Sequence, residues 1–123
     1  MERDERVVTA TAAMADGTGV IRAIESFSDR SFDTGICESH AMDMMAGMAK
    51  CGLKPFFAVY STFLQRAFDQ AFQESALQGL PVRLCLAAID EASLRASLEF
   101  MRTWEGGLSS VRYPRDNIDE RFG

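Results

Sequence analysis

The chain has 123 residues and a formal net charge of -5, with 47% hydrophobic and 25% charged residues. Those proportions belong to one globular domain with a real core and exclude a disordered segment. The acidic balance and scattered basic residues argue against nonspecific nucleic-acid binding, so an anionic ligand needs a local arginine site. The charged opening Met1-Glu2-Arg3-Asp4-Glu5-Arg6 lacks the apolar centre of a signal peptide, and no later apolar run is long enough to span a bilayer. A cytoplasmic protein is expected. Cys37, Cys51 and Cys85 are odd in number and lie in apolar runs, which suits reduced, buried thiols better than disulfides.

In chain order, Val7–Ala12 is β-branched and apolar and reads as a first strand. Asp16-Gly17-Thr18-Gly19 reads as a turn in which Thr18 caps a helix carrying Val20, Ile21, Ile24 and Phe27. It lacks the lysine and spacing of a phosphate-cradling P-loop. A second strand is expected over Phe32–Ile36, then a helix filled by Met44, Met45 and Met48, with Lys50 in its last turn and Gly52 as a left-handed cap. Phe56–Tyr60 reads as a third strand. After it, Thr62 and Gln65 are spaced as a capping box for a helix with Leu64, Ala67, Phe68, Ala71 and Phe72 on one face. Gly79 and Pro81 end that helix, Val82–Leu86 is a fourth strand, Asp90 caps a helix with Leu94, Leu98 and Met101 inward, and Ser110–Tyr113 is a last strand. Continuous apolar strands alternating with helices predict an α/β fold, a mostly parallel sheet covered on both faces.

The chemistry gathers around Gly35-Ile36-Cys37-Glu38-Ser39-His40, where an acidic residue opens a helix beyond a strand, at the carboxyl edge of the sheet. A carboxylate there can do acid/base work, or it can merely complement the helix dipole. Phe63 and Arg66 stand one turn apart on one helix face, and Tyr60 closes the third strand. Taken singly, Phe63 suits core packing and Tyr60 an amphipathic strand end. His40, Cys37 and Cys51 lack paired metal-ligand spacing, so no metal site is expected, and His40 reads as structural.

Three stretches carry a resemblance: the turn around Asp16-Gly17-Thr18-Gly19, the segment Asp33-Thr34-Gly35-Ile36-Cys37-Glu38-Ser39-His40-Ala41, and above all Lys54-Pro55-Phe56-Phe57-Ala58-Val59-Tyr60-Ser61-Thr62-Phe63-Leu64-Gln65-Arg66-Ala67-Phe68-Asp69-Gln70. With the closing Arg112-Tyr113-Pro114-Arg115, they make the chain resemble the pyrimidine-binding domain of 1-deoxy-D-xylulose 5-phosphate synthases, thiamine-diphosphate enzymes of the transketolase superfamily. The resemblance implies a three-layer sandwich of transketolase pyrimidine-domain type. It also implies that residues 1–123 are one incomplete pyrimidine-binding domain, without the diphosphate-binding domain that holds Mg2+ and without the carboxy-terminal domain. Family members continue after the fourth strand into a block of active-site loops and another strand, whereas Leu86 here passes at once to Ala87; that segment is missing.

By the same resemblance, Glu38 is the catalytic carboxyl that meets N1′ of the aminopyrimidine, Phe63 stacks on that ring, and Arg66 lines the cofactor pocket. Tyr60 contacts substrate, and Arg115 holds the phosphate of glyceraldehyde 3-phosphate, although Asp116 stands where the family has glycine. The implied activity is condensation of pyruvate with glyceraldehyde 3-phosphate by a homodimer, at the head of isoprenoid and thiamine biosynthesis, with the isolated chain inactive. The alternative is a non-catalytic relative kept as a binding or dimerisation module.

Overall fold

A computed structural model of the chain describes residues 1–87. The apolar runs form four strands, β1 (Val7–Thr11), β2 (Ser31–Asp33), β3 (Lys54–Tyr60) and β4 (Arg83–Ala87), in one sheet of order β2-β1-β3-β4. Every neighbouring pair is parallel: Ala10 lies beside Phe32 on one side and Phe57 on the other, and Phe57 lies beside Leu84. That register sets Val8, Ala10, Phe57, Val59 and Leu84 on one face, because side chains alternate along each strand.

Helix α3 (Glu38–Lys50) covers this face with a stripe of Ala41, Met42, Met45, Ala46 and Ala49, spaced at three and four residues as an amphipathic helix requires. It ends as expected, with Gly52 at φ +87°, a conformation that costs glycine little. The segment after β3 joins the same layer through Leu64, Ala67 and Ala71. On the opposite face lie α1 (Ala15–Thr18) and α2 (Ile21–Ser26), where Val20 and Ala23 look across a groove of about 340 Å³ at Val7, Thr9, Phe56 and Ala58. Helices on both faces of a parallel sheet give the expected three-layer α/β architecture. No helix among the described residues is long and apolar enough to cross a membrane.

Local details depart from the sequence reading. The second strand stops at Asp33 rather than Ile36, because the Asp33 carboxylate accepts hydrogen bonds from the backbone N–H groups of Ala13 (2.8 Å) and Gly35 (3.0 Å) and turns the chain away. Thr18 caps nothing: its hydroxyl donates back to the Met14 carbonyl at 2.6 Å, and the N-cap position of α2 is Val20, which offers no side-chain cap. The Thr62–Gln65 capping box does not form. A 3-10 turn at Leu64–Ala67, a short α4 (Phe68–Gln70) and a π-turn at Ala71–Ala76 replace one regular helix, and this irregular winding leaves Phe72 41% exposed. All three cysteines are free thiols but exposed rather than buried, since Cys37 and Cys51 flank α3 and Cys85 points to the outer face of β4. The helix expected from Asp90 and the strand at Ser110–Tyr113 lie outside the described residues.

Candidate functional site

The site is built at the carboxyl edge of the sheet, where the chain leaves β2 and β3. After Asp33 the backbone turns through Gly35, at φ +69°, and Glu38 becomes the first residue of α3. Glu38 is a charged side chain only 2% exposed, a costly placement unless its oxygens find partners. They find Arg66, whose Nη1 donates to Oε1 at 3.3 Å and to Oε2 at 3.5 Å. The Arg66 side chain is itself 56% exposed, so the pair joins a buried carboxylate to a guanidinium that still touches water.

Arg66 reaches Glu38 because its turn is tied down from two sides. Ser39, next to Glu38 on α3, donates its hydroxyl to the Arg66 backbone carbonyl. The guanidinium lies over the Phe63 ring, 5.5 Å from its centroid, as residues three apart on a helical turn can meet. Phe63 is partly buried against the core, and its ring centroid lies 6.3 Å from that of Tyr60 at an interplanar angle of 45°. Glu38, Arg66, Phe63 and Tyr60, drawn from α3 and from the end of β3, therefore form one contiguous row. Arg115 lies outside the described residues.

The residues on this row offer a buried carboxyl oxygen pair, a flat aromatic face and a half-exposed cation. That donor set suits a neutral or weakly basic aromatic ring with a nitrogen at its edge, and it fits an aminopyrimidine. Among the described residues no cluster of three histidine, cysteine or acidic side chains could hold a metal ion. Two open hollows, one of about 520 Å³ between the amino terminus and α2 and the groove over the outer sheet face, touch none of Glu38, Phe63 or Arg66.

Residues that sequence reasoning passed over also shape this edge. Met14 accepts the Tyr60 backbone N–H on its sulfur at 3.4 Å, and Gly17 packs against the Tyr60 hydroxyl. Ser39 lies within the Glu38 segment but carries no signal of its own, because its bond to Arg66 spans 27 positions. The hydroxyls of Thr11 and Ser61, buried where β1 and β3 end, have no hydrogen-bond partner among the described residues.

Residues 1–94 match the family described as the pyrimidine binding domain of transketolase. A 1-deoxy-D-xylulose-5-phosphate synthase from Clostridium perfringens is 60% identical over 85 residues, covering 69% of this chain and 14% of that protein. One from Helicobacter hepaticus is 54% identical over 146 aligned positions, covering 94% of this chain and 23% of the relative. That alignment is longer than the 123 residues of the chain, so the relative carries residues inside the matched region that this chain lacks, in keeping with a missing internal segment. The chain thus spans less than a quarter of these curated relatives. A solved structure described as a split-gene transketolase, inactive beta4 tetramer, superposes with a TM-score of 0.62 at 24% identity, over 69% of this chain and 29% of that one; the likeness is one of fold.

Proposed function

The chain belongs to the family of transketolase pyrimidine-binding domains, and from that premise we propose that it is the pyrimidine-binding part of a thiamine-diphosphate-dependent 1-deoxy-D-xylulose 5-phosphate synthase, which joins pyruvate to glyceraldehyde 3-phosphate with loss of carbon dioxide. The observation that carries the reading is Glu38, a carboxylate 2% exposed at the start of α3 and linked through Arg66 to the face of Phe63. The identity to synthases over 69% and 94% of the chain adds support.

When bound, thiamine diphosphate supplies a carbon acid whose conjugate base adds to the carbonyl of a 2-oxo acid and takes up the electron pair that decarboxylation releases. The residues here prepare the ring for that work. Glu38 would meet N1′ of the aminopyrimidine and exchange a proton with it, its carboxyl being only 2% exposed. Phe63 would offer its ring face to the pyrimidine, and Arg66 would balance the Glu38 charge beside it. Tyr60 meets the substrate at the strand end. Arg115 takes the triose phosphate group, a task that suits a planar guanidinium, with Asp116 beside it weakening the attraction.

In this reading Mg2+ and the diphosphate are held by another domain of the longer protein, which acts as a cytoplasmic homodimer, and the 123-residue chain alone shows no synthase turnover. The experiment is proton exchange at thiamine C2, followed by NMR in deuterated water with the full-length synthase containing this domain. Glu38→Gln is expected to slow exchange by about two to four orders of magnitude while the protein still melts cooperatively. Exchange at the unaltered rate would remove Glu38 from its role. A full-length protein that neither binds the cofactor nor exchanges its proton would favour the non-catalytic module, for which the missing internal segment speaks.

A further inference from the structure

Gly17 occupies an unusual place for a glycine. It lies inside the helical turn Ala15–Thr18, which is closed by the Thr18 N–H donating to the Met14 carbonyl at 3.0 Å, and it is not among the glycines with positive φ. Its backbone therefore does not require glycine, and a helical glycine is less favourable than alanine. What requires it is space: a Cβ at position 17 would overlap the Tyr60 hydroxyl oxygen outright and lie 2.7 Å from the ring Cζ. The far end of Tyr60 thus sits where any other side chain would begin.

The near end is held by the same turn. Met14, three residues before Gly17 and on the same side of the turn, accepts the Tyr60 backbone N–H on its sulfur at 3.4 Å. The β3 strand ends at Tyr60, whose backbone is paired with Ala87 of β4 on its other side, so sheet and turn together hold the root, while the ring beyond Cβ takes its direction from the turn. Between them, Met14 fixes the root of the residue and Gly17 its tip, and the Phe63 ring at 6.3 Å borders the remaining side. We propose that the Met14–Thr18 turn is a clamp that sets the direction of the Tyr60 hydroxyl, and that Gly17 is a positioning residue for binding of the phosphorylated aldehyde. The functional half rests on the reading of Tyr60 as a substrate contact; the clamp itself does not.

Two measurements separate them. In thermal melts of the 123-residue chain, Gly17→Ala is expected to lower Tm when Tyr60 is present and to raise it, or leave it unchanged, in a Tyr60→Ala background, because helix propensity then acts unopposed. A rise in both backgrounds overturns the clamp. In the full-length synthase containing this domain, Gly17→Ala is expected to raise KM for glyceraldehyde 3-phosphate about tenfold or more, with thiamine diphosphate affinity and C2 proton exchange unaltered. Tyr60→Phe serves as the reference. If Tyr60→Phe raises that KM and Gly17→Ala does not, the positioning role is overturned; if Tyr60→Phe leaves it unchanged, the substrate reading of Tyr60 and the functional half fall together, while the melts still decide the clamp.

Discussion

Glu38 and Asp4 are both carboxylates beside arginines, yet burial gives them opposite tasks. Glu38 is shut away, with a guanidinium partner that is itself half exposed. Asp4 is a surface strut: it accepts from the Arg6 side chain at 3.1 Å and from Lys54 of β3, and these donors hold its carboxyl well below the usual carboxylate range, Arg6 first and Lys54 second. Because the folded value is depressed, the stability it contributes is present above the ordinary carboxylate range, near pH 4, and is lost as pH falls through the depressed value. Asp4→Asn is therefore expected to lower Tm modestly at pH 7, with the two melting curves converging as the pH is taken well below 4. A difference that stays constant with pH would mean that the charge of Asp4 is irrelevant.

Among the elements, the turn from β2 to α3 decides where Glu38 stands. One carboxylate, Asp33, gathers the N–H groups of Ala13 and Gly35, and Thr34 returns both its N–H and its hydroxyl to the Thr11 carbonyl, at 3.1 and 3.2 Å. Ala13 is held at φ +59° in this arrangement, a conformation that alanine rarely adopts unaided. Asp33→Ala removes the one carboxylate oxygen that accepts both charge-assisted hydrogen bonds, at an exposed site where water replaces part of the loss, so a cost of about 1–2 kcal/mol is expected in denaturant titrations, with Asp33→Asn retaining some of the stability. Faster amide exchange at Gly35–Cys37 should accompany the loss. The sequence reading carries the second strand three residues too far because Thr34-Gly35-Ile36 looks extended in sequence, whereas Asp33 bonds to a backbone 20 positions away. The capping box failed for a related reason: Phe63 and Leu64 are drawn toward the core and α3, and the turn winds to satisfy packing rather than the Thr62 hydroxyl.

At the scale of the molecule, β3 is the centre of the fold. It pairs with strands on both edges, and Phe57 and Val59 are fully buried between the sheet and α3. Phe57→Ala is expected to cost about 3–5 kcal/mol, a large share of the 5–15 kcal/mol that a domain of this kind possesses. A cooperative melt close to that of the parent would show that the core does not depend on this ring. The same strand ends in Tyr60 and leads into Phe63 and Arg66, so the element that anchors the core also aims the site.

The sequence alone determined the α/β class, the four described strands to within a few residues and α3 with Gly52 at its close, and its resemblance to the synthases singled out Tyr60, Phe63, Arg66 and Glu38. These follow from short-range facts: the period of apolar residues, the special backbone of glycine, and a motif whose members sit close in the chain. Only the tertiary structure decided that Arg66 answers Glu38 across 28 positions, that Ser39 pins the Arg66 carbonyl, and that Gly17 makes room for the Tyr60 hydroxyl. The cysteines belong with these. Whether a thiol in an apolar run is covered depends on which side of a strand or helix end it faces, and on what packs there, and neither is written in its immediate neighbours.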